Sequence, residues 1–335
     1  MRAFVVSEPG DVALREWPEP VVLEGEVLVA PLLAGVCGTD LELIDGSIDL
    51  AYVRYPLVLG HEWVGRLEAD VADVGPAGTH VVVEGVIPCG VCVACVRGAS
   101  NLCEVYDEIG FTRPGALAER VSVPRQLVHR LSDTVAIEDA VLVEPMAVVW
   151  RALTRVPLRR GLRVGIVGDG TIALLAAHLV RLFGPSSTTV IGRREEQRGL
   201  AASAGADEFF VATPRETFDL VIEAAGSGAA VASAIERCAR GGTVILLGLP
   251  PHGTTVALAP DELVNNDVII QGSFSYTRGA FAEVVSRVNG GDLRPSFLIT
   301  HRFTLDDAPA AVVALRGLVA TSGARGKVVI DFTRA

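Results

Sequence analysis

Residues 163–180, RVGIVGDGTIALLAAHLV, decide the fold. An apolar run ends in Gly168-Asp169-Gly170-Thr171-Ile172, with Ala173 in place of a third glycine, and passes directly into a helix-forming run. Two glycines permit a tight turn and the close approach of a pyrophosphate, whose charge the helix N-terminus favours. The motif alone is weak. Its strand-turn-helix setting, followed by a second strand TTVIG at 188–192, makes it evidence for a dinucleotide site. The rhythm then repeats as FDLVIEAAG, GAAVASAIERCARGG, TVILLGL and DVIIQGSF. Apolar strands alternating with helices predict a parallel sheet covered on both faces, an α/β arrangement.

The end of the second strand bears on which nucleotide fits. NAD sites place Asp or Glu there to accept the ribose hydroxyls, but here Gly192 is followed by Arg193 and Arg194. Without that carboxylate, and with two guanidiniums able to donate forked hydrogen bonds to a 2′-phosphate, the expectation is NADP(H) in preference to NAD(H). The competing reading makes both arginines an ordinary helix start paired with Glu195 and Glu196.

Outward from this region the pattern changes. Residues 1 to about 140 carry short β-type runs broken by Gly and Pro, such as RAFVV, EVLVAPLLAGV, WVGRLEADV and THVVVEGV. After about residue 276 come a helix in TRGAFAEVVSRVNGGDLRP, a strand in ITHRFTL, a second helix in residues 306–320 and a last strand in KVVIDF. That tail is short for a third domain and is expected to pack back on the first.

A formal charge of −11 opposes nucleic-acid binding, which needs a positive face. Asp169, His178 and glycines interrupt the most apolar window, so no membrane span is expected, and no secretory signal is visible at MRAFVVSEPG. The reading is cytoplasmic, with a small-molecule substrate. Lys327 is the only lysine, which leaves amine chemistry a single candidate.

Cys89, Cys92, Cys95 and Cys103 form a C-x2-C-x2-C-x7-C run able to close a tetrahedral zinc site. An iron-sulfur cluster and reduced thiols compete. Against the cluster, its bacterial run places the fourth cysteine three residues on and before Pro, whereas Cys103 follows after seven and precedes Glu104. Four thiolates leave zinc no open position, so such a site is structural. Cys238 stands alone and reads as a buried thiol.

A second set is more scattered: Cys37, Thr39 and Asp40 after a strand, His61 and Glu62 at a bend, and Glu144 within an apolar helix. Sulfur, nitrogen and oxygen donors with one open position suit a catalytic zinc that polarises a carbonyl or stabilises an alkoxide. Thr39 is placed to relay a proton, and Asp40 to orient His61.

Cys37-Gly38-Thr39-Asp40, Gly60-His61-Glu62, the four-cysteine run, Glu144-Pro145 and the glycine motif occur in order over nearly the whole chain. In this combination the sequence resembles the zinc-dependent medium-chain dehydrogenases, the family of alcohol, sorbitol and threonine dehydrogenases. The resemblance implies a GroES-like, mainly β catalytic domain at 1–145, with its zinc lobe at about 85–105. It implies a Rossmann NADP-binding domain at 146–276, and completion of the catalytic domain by 277–335.

It further implies that Cys37, His61 and Glu144 bind catalytic zinc, with Glu62 exchanging into the set, and that the substrate is a polyol, sugar or (amino)cyclitol. By the same resemblance Gly226, Leu249, Phe274 and Ser275 contact the cofactor, Lys327 lies near the pyrophosphate, and the assembly is a homodimer or homotetramer. Where relatives carry a histidine five residues after the first zinc cysteine this chain has Glu42, so the proton is expected to pass from Thr39 by the nicotinamide ribose to Glu42 or water. Glu108 and Arg278 are candidate substrate binders or interface ion pairs. Two other functions stay open: a reductase of ketones, imines or enones, and a non-catalytic zinc-stapled nucleotide sensor.

Overall fold

The computed structural model describes residues 1–212, 214–318 and 323–334, so Val319 and Ala320 of the expected helix at 306–320 lie outside the described residues. The chain forms two compact units. One comprises Met1–Glu144, the chain from Thr277 and the strand Lys327–Asp331; the other comprises Pro145–Tyr276 and Gly323–Gly326.

The second unit is built on six parallel strands: β1 (Arg163–Val167), β2 (Ser187–Ile191), β3 (Glu208–Phe210), β4 (Phe218–Glu223), β5 (Cys238–Leu246) and β6 (Ile269–Gly272). Their order is β3-β2-β1-β4-β5-β6. This is the doubly wound order, in which the direction of winding reverses between β1 and β4 and opens a crevice at the strand ends. The β-branched run of β1 buries four of its five residues, because helices cover both faces of the sheet.

The helix Thr171–Val180 follows β1 and is buried without interruption from Ala173 to Val180. A helix apolar on every side belongs inside a layered fold. His178 is the exception in that run: it is 5% exposed, and Arg181 Nη2 lies 2.9 Å from its Nδ1. Burial, and then the neighbouring guanidinium, lower its pKa to about 4. The fold therefore holds the neutral ring, and protonation of the unfolded chain below pH 6.5 costs stability until about pH 4. We expect acidification across that window to remove up to roughly 3 kcal/mol through this one group. Urea unfolding of wild type and His178→Gln at pH 7 and pH 4 checks it, and equal losses in the two proteins would exclude His178 as the cause.

In the first unit the long strand Glu26–Val36 pairs antiparallel with Glu62–Leu67, with Lys327–Asp331 and, near its start, with Val121–Pro124. The tail strand is thus a full member of this sheet. A separate three-stranded sheet holds Arg2–Glu8, Asp11–Glu16 and Leu57–Val58. Phe4, Leu43, Leu59, Trp63 and Leu117 are among the core side chains of this unit. The tail does not return to this unit in one piece, since Gly323–Gly326 leave it for the second. Among the described residues, no helix is long and apolar enough to cross a membrane.

Candidate metal centres and nucleotide site

Cys37 directly follows the long strand and caps the helix Gly38–Asp45. Its N–H donates to Asp40 Oδ2 at 2.8 Å, which fixes the turn and holds the fully buried Asp40 beneath the site. Asp40 Oδ1 lies 3.6 Å from His61 Nδ1. That spacing gives attraction without a hydrogen bond. Burial opposes a charge on His61, but Asp40, aided by Cys37, more than offsets it and raises the ring's pKa well above the usual imidazole value. Thr39 Oγ1 lies 3.7 Å from Cys37 Sγ.

The donor atoms of Cys37, His61 and Glu62 lie within 4.8 Å of one another. Glu144 falls outside that trio. It is half-buried, and burial, then the negative charge of Glu62, push its carboxyl up to about 8. Glu108 is 9% exposed, hydrogen-bonds Tyr106, and has its pKa raised by burial in spite of nearby His61. A thiol, two buried carboxylates and Asp40 gathered around one imidazole form an excess of negative donors, which fits a cation.

Lys327 is inserted among these groups, 2% exposed and paired with Glu62. Gly35 stands opposite both Glu62 and Val329 in the sheet. A Cβ there would lie 2.5 Å from Lys327 Cε and 2.6 Å from Glu62 Oε2, so the missing side chain makes the channel for this ion pair.

The other cysteines also converge. Cys89 Sγ and Cys95 Sγ are 3.9 Å apart, and all four sulfurs fit within 4.8 Å. Zinc–sulfur bonds of about 2.3 Å in a tetrahedron put thiolates about 3.8 Å apart, so the sulfurs fit zinc closely. Hydrogen bonds from the backbone at Glu104 and Cys95 lower the Cys92 thiol to about 6, favouring the thiolate. Cys238 takes no part; burial raises its pKa to about 11.

At the crevice of the second unit, the register of β1 against β2 places Val167 beside Ile191, and hence the glycine turn beside Gly192. Gly168 has φ +130°, a backbone conformation that side-chain-bearing residues rarely adopt, and nothing lies within 4 Å of a Cβ built on Gly170. Gly170 caps the helix at Thr171 and Ile172 without any side-chain partner. An open, uncapped turn of this kind fits a phosphate. At the ends of β4 and β5, Glu223 accepts the N–H groups of Ala225 and Gly226, and a Cβ on Gly226 would meet Leu249 O at 2.9 Å. Phe274 is 55% exposed, and Ser275 has φ +51°.

The arginine pair differs from expectation. Asp169 Oδ2 accepts the N–H groups of Arg193 and Arg194, while its Oδ1 accepts Nε and Nη2 of Arg194 at 3.2 and 2.7 Å. Arg194 thus spends part of its fork on Asp169, whereas Arg193 is exposed. Arg194 does stand at a helix start, as N-cap of the turn Glu195–Gln197, but Glu195 pairs with Arg198. Asp169 reaches this place because Gly192 leaves it open: a Cβ there would lie 2.7 Å from Asp169 Cβ. Arg278 pairs with buried Glu84 and donates to Gln126 O. Two residues that sequence reasoning passed over are Gln197, fully buried beneath the arginines, and Glu223. An otherwise unexplained amide or acid beside a motif was their only signal.

Comparison with known proteins agrees with this architecture. Residues 23–133 match the alcohol dehydrogenase GroES-like domain, and residues 171–290 the zinc-binding dehydrogenase domain. L-threonine 3-dehydrogenase of Streptomyces coelicolor is 34% identical, over 99% of this chain and all of that protein. Sorbitol dehydrogenase of Bacillus subtilis is 28% identical, over 93% of this chain and 92% of that enzyme. The solved structure of a zinc-binding dehydrogenase from Sinorhizobium meliloti bound to NADP superposes with a TM-score of 0.90 at 27% identity, covering 98% of both chains. With a mainly β unit carrying the thiol, imidazole and carboxylate donors and a doubly wound unit carrying the glycine turn, the chain belongs to the zinc-dependent medium-chain dehydrogenase family.

Proposed function

We propose that the protein is a zinc- and NADP(H)-dependent oxidoreductase that interconverts a secondary alcohol of a polyol, sugar or cyclitol with its ketone. The carrying observation is the buried trio Cys37, His61 and Glu62 with Asp40 behind the imidazole. Cys37 and His61 hold the metal, and Glu62 or Glu144 completes the protein ligands, Glu62 only by leaving Lys327. Zinc there supplies a Lewis acid for the substrate oxygen, and the nicotinamide supplies or accepts the hydride. Asp40 keeps His61 oriented. Thr39 Oγ1 would relay the hydroxyl proton, accepting it as its own hydroxyl proton passes on toward water or Glu42, which is one helical turn on and half-buried.

A polar substrate is supported by Glu108 and Tyr106, an acid and a phenol set close to His61 that suit a neighbouring hydroxyl or amine. The named relatives, acting on threonine and sorbitol, handle alcohols flanked by such groups. Absorbance assays at the nicotinamide band with polyols, sugars, cyclitols and their ketones test the assignment, and a protein with both zinc ions that turns over none of them would refute it.

NADP is supported by Arg193 and Arg194 and by the neutralisation of Asp169 on Arg194. Four donors hold that carboxylate below its usual range despite its burial, so it is not left as a bare acceptor for ribose hydroxyls. A double variant, Arg193→Ala with Arg194→Ala, should weaken NADPH about 100-fold, from roughly 3 kcal/mol of charge-assisted bonding, and NADH by less than about threefold. Equal losses of both nucleotides in binding titrations would contradict the preference.

A further inference from the structure

We propose that Arg113 is a positioning residue for the substrate: through Asp107 and Glu26 it fixes the loop that holds Tyr106 and Glu108 beside the metal site, a role that rests on the polar-substrate reading above.

The chain from Glu108 to Arg113 is a tight turn laid against His61. Glu108 O accepts the N–H groups of Phe111, Thr112 and Arg113 at 3.2, 3.0 and 3.0 Å, and Gly110 N donates to Arg113 O at 2.8 Å. The Phe111 ring sits 5.2 Å from the His61 ring, and a Cβ on Gly110 would lie 2.9 Å from Gly60 O and 3.3 Å from His61 Cβ. So close an approach leaves the turn a single seat. Phe111 O also accepts Arg54 N at 3.0 Å, and the Tyr106 ring meets that of Tyr52 edge-on at 5.2 Å, so the neighbouring segment is held by the same loop.

One guanidinium fastens the stem of this turn. Arg113 Nε donates to Asp107 Oδ2 at 2.7 Å, and its Nη1 donates to Glu26 Oε1 at 2.9 Å. Asp107 Oδ1 accepts Thr112 Oγ1 at 2.6 Å, and that hydroxyl oxygen accepts Glu108 N at 2.8 Å, so the fork reaches the backbone of Glu108 through Asp107 and Thr112 in turn. Glu26 opens the long strand that Cys37 follows, and Ser122 Oγ on the adjoining strand donates to its other oxygen at 2.8 Å. Arg113 thereby ties the substrate-facing turn to the strand that leads to Cys37. Two carboxylates, both mostly buried, converge on it. Without it they repel each other where water screens them poorly, and the turn, rather than the sheet, is the part that yields. An arginine fork can serve both acceptors at once, whereas a lysine is a single point charge.

The test is steady-state kinetics of the full chain with saturating NADP on sorbitol, myo-inositol and L-threonine, with cyclohexanol as an alcohol lacking polar neighbours, in a double-mutant cycle of Arg113→Leu with Glu108→Gln. Arg113→Leu should raise KM about tenfold for the polar alcohol turned over best, keep kcat and cyclohexanol turnover within about twofold, and retain two zinc ions and NADPH affinity. Arg113→Lys should fall in between, and it carries the same comparison if the leucine variant unfolds. Glu108→Gln should raise the same KM, and the double variant should be little worse than either single one, because both act on one contact. An unchanged KM in Arg113→Leu, full additivity, or an equal loss on cyclohexanol would overturn the role of Arg113 while the polar-substrate reading stands. If Glu108→Gln changes no KM, or wild type turns over none of the polar alcohols, that reading falls and the positioning role falls with it.

Discussion

Replacing His61 with alanine is expected to lower kcat/KM by at least about 10³-fold and to reduce bound zinc from two ions per chain to one. The magnitude follows from the chemistry assigned to the site: a metal that stabilises developing charge on the substrate oxygen contributes several kcal/mol, and each 1.36 kcal/mol is tenfold in rate. His61 is 6% exposed, and Asp40 behind it is fully buried. Asp40→Asn keeps the shape and removes the charge that favours a cation on the ring; it should cost 10- to 100-fold in metal affinity or activity, as outer-shell partners of histidine ligands do. Metal analysis beside steady-state kinetics reads both effects. A His61→Ala protein that keeps two zinc ions, or turns over normally with one, would remove the metal from the mechanism.

Much of this was legible in local patterns. The glycine turn, the apolar strands around it and the four-cysteine run each lie within a few residues, and their chemistry depends on spacing alone. Cys37 and Asp40 are three apart, so a helix cap joins them without any help from the rest of the fold. What could not be read depends on register between distant strands. Lys327 meets Glu62 only because the last strand pairs beside Gly35. Asp169 meets Arg194 only because β1 and β2 align Val167 with Ile191, and that contact redirects a side chain that charge counting had assigned wholly to phosphate. Gln197 meets Arg325 across 128 residues, with no pattern to announce it. The two acids are a similar case: Glu62 and Glu144 both lie near His61, and packing, not spacing, gathers Glu62 with Cys37 and His61.

Replacing Cys95 with serine is expected to cost the second zinc ion and to unfold the lobe around it while the rest of the chain stays folded. The lobe has little core of its own: Val91, Val93, Val96 and Leu102 are 83%, 58%, 75% and 53% exposed, and its short helix Val93–Val96 buries nothing. With so little apolar burial, the metal supplies the folding energy; apparent zinc affinities in small four-ligand modules of about 10–16 kcal/mol are large enough to decide whether such a segment is ordered. Arg97, exposed in the lobe, then becomes a trypsin site, so limited proteolysis should cut the variant there and spare wild type, with Cys238→Ser as a control that keeps both ions. The effect on turnover should differ in kind from that of His61→Ala. The chain leaves for the lobe at Val86–Ile87 and returns at Asp107–Glu108, where Ile87 N donates to Asp107 O and Val86 bridges to Glu108. Melting the lobe loosens Glu108 and Tyr106 without touching Cys37 or His61, so KM for a polar substrate should rise several-fold with kcat largely kept. An intact, protease-resistant lobe in the one-zinc variant would show that the cysteines are not its staple, and a fall in kcat with KM unchanged would separate Glu108 from substrate binding.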